Sequence, residues 1–406
     1  MFWDVRYECP QCGAPQDLDE ATRLVLCHYC GVRSFLSASD LFRFALPHKG
    51  AVDAPYYVPY LRFKGFVFRC EGLSIHHGLV DITRRAVDVP VLPVSLGYRP
   101  QTLVLRHLNV GAKGIIFDNT LHREDASSLA ARYTDNADKG EVFHRSFIGE
   151  STSLIYLPLL RHESQWLEGV TMTPLESLDD ESIAGLSQSG PLSPLIFLST
   201  LCPCCGWNLQ GEKTSIVLFC PNCQSAWEAV GGGWEKVPAV SVVHAAQEDL
   251  FLPFWRITAE SSDGLITSQA DLIRITGQPA LYPAEREGRP LSFIVPAFKM
   301  RPDLFLRLSR DFTLMKKPFD LCEGAPRNVF SPVTLNASDA LESLPAVCAT
   351  ASAVRHLTFP ILKGLRFICK EQALLFLPFS ETVNELIQRD ASIAILRQAV
   401  LMGKAL

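Results

Sequence analysis

Short runs of aliphatic and aromatic residues, each bounded by glycine or proline, recur along the chain. Clear examples lie at 65–69, 101–106, 292–295 and 373–377. Runs of this length that are rich in valine, isoleucine, leucine and phenylalanine are typical of β-strands. The pattern therefore predicts a mainly β fold with some α structure.

Two segments have helical character instead. The first covers 121–133 and is followed by a polar stretch. The second covers 382–402, where Thr382 and Glu385 have the spacing of a capping box. Its apolar positions are one heptad apart, at Leu386, Ile393 and Val400. This spacing predicts a C-terminal helix with one face against the core.

Prolines occur inside several of the predicted strands. The sequence YVPYLR at 57–62 is matched by FLPFWR at 251–256, and IYLPL at 155–159 is matched by FLPF at 376–379. Proline lacks the N–H that a sheet ladder requires, so it belongs at an edge, at a strand start or at a bulge. The matching prolines predict a recurrent edge or a recurrent bulge.

Further landmarks recur in the same order in both halves. VLPV at 91–94, with RP at 99–100, matches IVPA at 294–297, with RP at 301–302; TL at 120–121, before DA at 125–126, matches TL at 334–335, before DA at 339–340; and FI at 147–148 matches FI at 367–368. An ordered set of matches at long spacing is the signature of an internal repeat. We predict a tandem duplication.

The composition is that of a folded protein. The chain has 406 residues, of which 48% are hydrophobic and 20% charged, enough for two or three domains of about 150 residues each. Its 38 Lys+Arg and 43 Asp+Glu give a net charge of -5, which excludes a globally basic nucleic-acid-binding protein. No apolar run reaches the ~18 residues of a membrane span, and residues 1–10 lack the features of a secretory signal. We therefore expect a cytoplasmic protein without a transmembrane segment.

Eight of the thirteen cysteines form the ends of four Cys-x-x-Cys motifs. CPQC at 9–12 and CHYC at 27–30 are separated by 14 residues, and CPCC at 202–205 and CPNC at 220–223 by another 14. Two such motifs bring four thiolates into one closed tetrahedral site, which is typical of structural zinc. A glycine after three of the motifs permits the positive φ that this turn often needs. The predicted ligands are Cys9, Cys12, Cys27 and Cys30 in the first site and Cys202, Cys205, Cys220 and Cys223 in the second.

On these motifs, residues 5–36 and 198–230 each resemble the C4 zinc-ribbon family. The resemblance implies two structural zinc ions per chain. Two departures occur: Gln224 replaces the glycine after the fourth motif, and Cys204 lies inside the third, where we interpret it as a bystander. A rubredoxin-like iron site is the alternative, although rubredoxins usually place their two motifs much further apart.

The ribbons and the repeat divide the chain into five parts. We assign zinc ribbon 1 to 1–40, β-rich domain 1 to 41–170, an acidic Ser/Pro linker to 171–197, zinc ribbon 2 to 198–235, and β-rich domain 2 with a C-terminal helix to 236–406. The linker is assigned from its composition, because its acidic residues, serines, glycines and prolines occur without any lysine or arginine.

The sequence contains no catalytic motif that we recognise. It lacks a phosphate-binding loop, a G-x-S-x-G elbow and an H-E-x-x-H motif. His76 and His77 are adjacent, so on a strand they would point to opposite faces and make poor joint ligands. We expect no catalytic residue and identify no small-molecule substrate or further cofactor. An enzyme with an unrecognised pocket is the third hypothesis for the function.

The preferred hypothesis is a non-enzymatic, zinc-stabilised scaffold. Closed metal sites, a repeat and an acidic balance favour an adaptor in a larger cytoplasmic protein assembly, and exposed strand edges would favour pairing with partner proteins. Tyr60, Phe254 and Trp255, close to the recurring prolines, are candidates for such contacts, with core packing as the competing interpretation.

The alternative hypothesis is a nucleic-acid-binding zinc-ribbon protein. Between 60 and 115 the basic residues outnumber the acidic ones and are interleaved with aromatic residues, a pattern that can follow a nucleic-acid backbone and stack bases. The basic residues include Arg62, Lys64, Arg69, Arg84 and Arg85, and the aromatic ones Phe63, Phe66 and Phe68. The competing interpretation is an ordinary strand with its charges outside and its rings inside.

Overall fold

The structure is a computed structural model that describes residues 4–49, 54–98, 103–108, 111–121, 140–243, 250–278, 288–315, 317–327, 329 and 331–403, with only the backbone at 150–152. Within these ranges the fold is mainly β with some α structure, and all four hydrophobic runs overlap a strand.

The strands are β1 (Asp4–Glu8), β2 (Pro15–Asp19), β3 (Leu24–Leu26), β4 (Arg33–Ser37), β5 (Phe42–Ala45), β6 (Tyr56–Glu71), β7 (Ser74–Arg85), β8 (Val104–His107), β9 (Ile115–Ile116), β10 (Val142–His162), β11 (Gln165–Glu168), β12 (Thr173–Pro174), β13 (Ile196–Ser199), β14 (Val217–Phe219), β15 (Ala226–Val230), β16 (Gly233–Val237), β17 (Ala239–Val242), β18 (Leu250–Ser261), β19 (Ser292–Pro296), β20 (Leu321–Glu323), β21 (Phe367–Glu381), β22 (Glu385–Gln388) and β23 (Ile393–Leu396). The helices are α1 (Asp180–Ala184), α2 (Gln269–Thr276), α3 (Pro302–Thr313), α4 (Ala337–Glu342), α5 (Leu344–Ala351), α6 (Arg355–Ile361) and α7 (Arg397–Gly403).

β6 and β10 form the centre of a ten-stranded sheet in the first half. They run antiparallel, with Tyr56 opposite Leu159 at one end and Glu71 opposite Val142 at the other. β10 also pairs with β5 and β11, and β6 also pairs with β7 and β9. Every residue from 57 to 71 is buried, so β6 does not alternate between a core face and a solvent face.

A seven-stranded sheet in the second half repeats this arrangement. β18 and β21 are antiparallel at its centre, β21 also pairs with β17 and β22, and β18 pairs with β19. The parallel pairing of β5 with β10 recurs between β17 and β21, and the hairpin of β11 and β12 recurs in β22 and β23. Strand order is therefore conserved between the halves on both sides of the central pair.

The central pairs also have the same register. Pro59 faces Tyr156 in the first half, and Pro253 faces Phe376 in the second. Each pair then has a β-bulge at the equivalent place, with one extra residue in β10 and in β21. A shared register and a shared bulge support the duplication, which stays a prediction.

The recurring prolines lie where an outer ladder ends. The β6–β7 ladder stops at Tyr60, and the Pro59 carbonyl then accepts a hydrogen bond from the Ala86 N–H at 3.0 Å. Pro253 and Ala297 repeat this contact, also at 3.0 Å, beyond the β18–β19 ladder. The N and C=O of one residue point to the same side of an antiparallel strand, so the missing N–H faces the ladder end and not the central partner.

Of the other landmarks, two pairs are equivalent and one is not. Phe147 and Phe367 pair at the same register, with Val67 and Ser261 respectively. The N–H groups of Thr120 and Thr334 donate to the Ala86 and Ala297 carbonyls, both at 2.9 Å. The match of 91–94 with 294–297 is wrong, because 294–296 lie in β19 whereas 91–94 lie outside the strands. The residues at 99–100 and 125–126 lie outside the part that the structure describes.

The helix predicted at 382–402 is confirmed only at its end. A hairpin of β22 and β23 occupies 385–396, and α7 follows. In this hairpin, buried residues alternate with exposed or half-buried ones. This period-two pattern overrides the heptad spacing. Thr382 and Glu385 do bond to each other, but through a turn in which the Glu385 N–H donates to the Thr382 Oγ1 at 3.0 Å. Apart from Leu121, the helix predicted at 121–133 lies outside the described residues.

The segment predicted as a linker packs onto the first half. The Asp179 side chain caps α1 by accepting a hydrogen bond from the Ser182 N–H, and Leu178 and Ile183 are buried in the core of the first sheet. Beyond α1, β13 pairs with β4. The segment therefore packs on the surface of the first half, although its acidic, proline-containing composition is that of a linker.

One hydrophobic cluster contains residues of both halves, and two further clusters lie within the first half. Helices α3 and α4 contact strands of both sheets, and α5 contacts β6, β7 and β10 of the first sheet. Helix α3 begins with Pro302, whose missing N–H is harmless in a first helical turn. The rings of Phe68 and Phe305 stack with their centroids 6.0 Å apart, and those of Phe143 and Phe359 are 6.1 Å apart. Among the described residues, no helix has the length and apolar character needed to cross a bilayer.

Candidate metal centres

Each Cys-x-x-Cys motif forms the same tight turn. In the first, the Cys9 N–H donates to the Ala14 carbonyl at 2.9 Å, and the Gly13 N–H donates back to the Cys9 carbonyl at 2.8 Å. Gly13 has φ +72°, the left-handed conformation that glycine adopts without strain. The other three turns, beginning at Cys27, Cys202 and Cys220, have the same pair of hydrogen bonds. Strands β1 and β2 flank the first turn, β3 and β4 the second, and β14 and β15 the fourth.

The structure brings the eight predicted ligands into two groups of four. In each group the sulfur atoms all lie within 4.8 Å of one another. The Cys9–Cys30 and Cys12–Cys27 sulfur distances are 3.8 and 3.7 Å in the first group. In the second, the Cys202–Cys223 and Cys205–Cys220 distances are 3.6 and 3.4 Å. Four thiolates at ~2.3 Å from a tetrahedral ion are ~3.8 Å apart, so both groups have the dimensions of a metal site.

Hydrogen bonds from the protein lower the pKa of individual cysteine ligands. The N–H of Cys30, assisted by that of Tyr29, lowers the pKa of the Cys27 thiol to about 6. The Ser225 hydroxyl is the main group that lowers the pKa of Cys223. The thiolate is the form that binds metal. Four cysteine ligands leave no position open for water or substrate, so these centres are suited to holding structure together.

Side chains that the sequence analysis missed support the ligands. The Ser225 Oγ lies 3.0 Å from the Cys223 sulfur and 3.6 Å from that of Cys202, and it accepts a hydrogen bond from the Trp227 Nε1 at 2.7 Å. In the first group, the buried Gln16 amide donates to the Cys27 sulfur at 3.8 Å. Ser225 follows the fourth motif by two residues, which is the only sequence signal that could have identified it.

The two departures from the ribbon pattern have different outcomes. Gln224 takes φ +57° and its N–H donates to the Cys220 carbonyl, so it occupies the left-handed position that glycine fills elsewhere. Cys204 is exposed and lies outside the group of four, although the neighbouring Cys223 raises its pKa.

The two metal-binding modules, here residues 4–37 and 200–237, pack against each other. The Lys213 carbonyl accepts hydrogen bonds from the Arg23 and Leu24 N–H groups at 2.8 and 3.1 Å. The rings of Phe35 and Trp234 are 5.1 Å apart. A small core joins the modules and contains Phe35, Cys202, Leu209, Leu218, Cys220 and Trp227. The metal centres therefore belong to one structural unit.

The basic and aromatic residues of the nucleic-acid hypothesis lie largely inside the protein. Arg62 is 1% exposed and Lys64 7% exposed, and the ion pair of Arg69 with Glu71 is buried. The rings of Phe63, Phe66 and Phe68 are buried as well. Arg84 is half-buried, and the half-buried Arg85 donates to the Val87 carbonyl at 3.2 Å.

The other sequence candidates are also placed. Tyr60, Phe254 and Trp255 are fully buried, so the core interpretation is right for all three. His76 and His77 are exposed on β7, and neither belongs to a metal-ligand group among the described residues. Comparison of the chain with known protein families, with curated proteins and with solved structures finds no match.

Proposed function

We propose that this protein is a non-enzymatic, zinc-stabilised adaptor in a larger cytoplasmic protein assembly, with one zinc ion in each four-cysteine group. Zinc is preferred because a tetrahedral set of four thiolates suits zinc or iron, and the motif spacing is that of a ribbon. A reducing compartment is consistent with thirteen cysteines that form no disulfide.

The observation that carries the adaptor proposal is the pair of aromatic side chains that the metal-binding turns hold in solvent. Tyr29, inside the second motif, is 73% exposed, and Trp207, just after the third, is 56% exposed. Leu26 and Val32, on either side of the second motif, are 47% and 40% exposed. Exposed aromatics on a rigid support are typical anchors of protein interfaces. The metal centres would thus preorganise a contact surface.

Nucleic-acid binding has less support. Its stacking residues are buried, and Arg62 and Arg69 are ion-paired inside the fold to Glu20 and Glu71 respectively. The metal-binding turns themselves gain negative charge when four thiolates hold a divalent ion.

The proposal is tested by affinity purification of the tagged full-length protein, with nuclease-treated and untreated samples side by side. The variants are Tyr29→Ser with Trp207→Ser, and Val383→Ser as the control, since Val383 is 90% exposed but distant in sequence from both modules. Stoichiometric partners that survive nuclease, persist in the control and are lost in the double variant support the adaptor. Partners that depend on nucleic acid contradict it. Metal analysis of the purified chain tests for two zinc ions.

A further inference from the structure

Arg256 in the second half occupies the position of Arg62 in the first. Each arginine lies three residues after the matched proline in the first strand of its central pair, and the register around the two is the same. Arg62 is buried and is ion-paired to Glu20 and Asp81. Arg256 is half-buried, and its side chain has no ion pair or hydrogen bond with any residue that the structure describes.

The difference follows from two substitutions between the halves. Asp81 faces Lys64 across β6 and β7, and the equivalent pair in the second half is Ser292 facing Thr258. Lys213 takes the place of Glu20 in the second half, because it is separated from the cysteines of the second module by the same number of residues along the chain. At the equivalent positions, the second half therefore has the guanidinium without either of the two carboxylates.

A cavity of about 350 Å³ lies beside Arg256. Its wall is formed largely by apolar side chains, among them Ile294, Phe312 and Leu375, and the exposed Arg289 and Lys317 add positive charge. The described lining contains no Asp, Glu, His or Cys. The cavity is within the size range of small-molecule sites, and no carboxylate in its described lining neutralises these cations.

We propose that this cavity binds a small amphipathic carboxylate, with the carboxylate on Arg256 and the apolar body against Phe312 and its neighbours. A guanidinium forms two parallel hydrogen bonds with a carboxylate, and the first half shows that this position accommodates one. A largely apolar wall favours a ligand with a hydrophobic body over a bare anion. The described lining combines cationic groups with apolar side chains, which suits binding of a ligand with these two features.

The test uses the full-length metal-loaded protein with 3-phenylpropionate as the probe, measured by isothermal titration calorimetry. The neutral 3-phenylpropionamide and inorganic phosphate are the comparison ligands. Arg256→Gln removes the guanidinium. Ser292→Asp leaves it in place but restores the carboxylate that the first half has as Asp81. Arg366→Gln, an exposed arginine outside the cavity lining, is the matched control.

We expect 3-phenylpropionate to bind. The amide lacks the charged pair and phosphate lacks the apolar contact, and each of these contributes a factor of about ten, so both should bind at least about tenfold more weakly. Arg256→Gln and Ser292→Asp should each weaken binding at least about tenfold, with Arg366→Gln unchanged. Failure of the probe to bind, equal binding of the amide, phosphate binding as tight as the probe, or unchanged binding in Ser292→Asp would each overturn the proposal. Ser292→Asp decides the outcome if Arg256→Gln does not fold.

Discussion

The Arg62 guanidinium and the Glu20 carboxylate form an ion pair in which each side chain is only 2% exposed. Glu20 belongs to the first metal-binding module and Arg62 to β6, so the pair fastens the module to the central sheet. Asp81, which is partly exposed, binds the same guanidinium through both of its oxygens at 2.9 and 3.0 Å. Burial raises the pKa of Glu20, and the charge of Arg62 opposes that rise.

Breaking this pair is expected to be strongly destabilising. Arg62→Gln should lower the free energy of unfolding by about 3–5 kcal/mol, because it leaves a buried carboxylate without its partner. The double variant Arg62→Gln with Glu20→Gln should lose less free energy of unfolding than the sum of the losses in the two single variants. Arg6→Gln, which removes an ion pair with both partners more than half exposed, should change stability by less than about 1 kcal/mol. Urea unfolding measures all four, and equal effects of Arg62→Gln and Arg6→Gln would contradict the expectation.

Loss of one cysteine ligand should unfold one module. Cys12→Ser should reduce the zinc content from two ions to one and expose the amides of 4–37 to hydrogen exchange, since structural zinc contributes on the order of 10 kcal/mol to such modules. Cys204→Ser is the control, because Cys204 is exposed and outside the group of four. Metal analysis combined with hydrogen exchange provides the measurement. Two ions retained in Cys12→Ser would show that this cysteine is not a ligand.

Ser225→Ala should weaken metal binding at the second centre without removing a ligand. The Ser225 hydroxyl supports two sulfurs and is itself held by Trp227. Loss of such a supporting group typically lowers metal affinity about 10–100-fold. Chelator competition, followed separately for each site through Cys12→Ser and Cys205→Ser backgrounds, gives the affinity. The first centre should be unaffected, and a loss shared equally by both centres would argue for a general loss of stability.

Gln224→Gly should stabilise the second module. Gln224 has φ +57°, which is strained for any residue with a Cβ. The other three turns have glycine there, so the substitution should raise the free energy of unfolding by up to about 1 kcal/mol. Gln224→Ala keeps the Cβ and removes only the side-chain amide, which separates backbone strain from side-chain contacts. If alanine stabilises as much as glycine, the strain explanation is wrong.

His144 should make stability depend on pH. Burial lowers its pKa to about 4, and its Nε2 is buried without a hydrogen-bond partner among the described residues. Between this pKa and the ordinary value near 6.5, the unfolded chain binds a proton that the native chain does not, so native stability declines as the pH falls through that window.

The His144→Leu variant removes that contribution. The free energy of unfolding of the variant, relative to that of the unsubstituted protein, should rise by about 1–2 kcal/mol as the pH falls from 7 to 5. His76→Leu, at an exposed position, is the matched control for loss of an imidazole. Urea titrations at the two pH values give the difference, and a His144→Leu effect that does not vary with pH would refute the assignment.

Local sequence determined the metal-binding turns. A Cys-x-x-Cys motif followed by glycine places its own hydrogen bonds within six residues, so its geometry does not depend on distant contacts. The strand-length runs are local in the same sense, and the β character followed from them. The heptad at Leu386, Ile393 and Val400 misled because hairpin pairing of β22 with β23 buries alternate residues, and such pairing overrides helical spacing.

Tertiary structure decided which side chains are buried. The alternation of Arg62 with Phe63 and Lys64 along β6 indicates an outer and an inner face, yet all three are buried. Glu20 of the first module binds Arg62, and Phe63 packs in a hydrophobic cluster of the first half. A sequence pattern records one strand, whereas burial depends on what packs over both faces of it. The partners of Arg62 are 19 and 42 residues away in the chain, and the absence of such partners at Arg256 becomes visible only when the two halves are aligned by strand register.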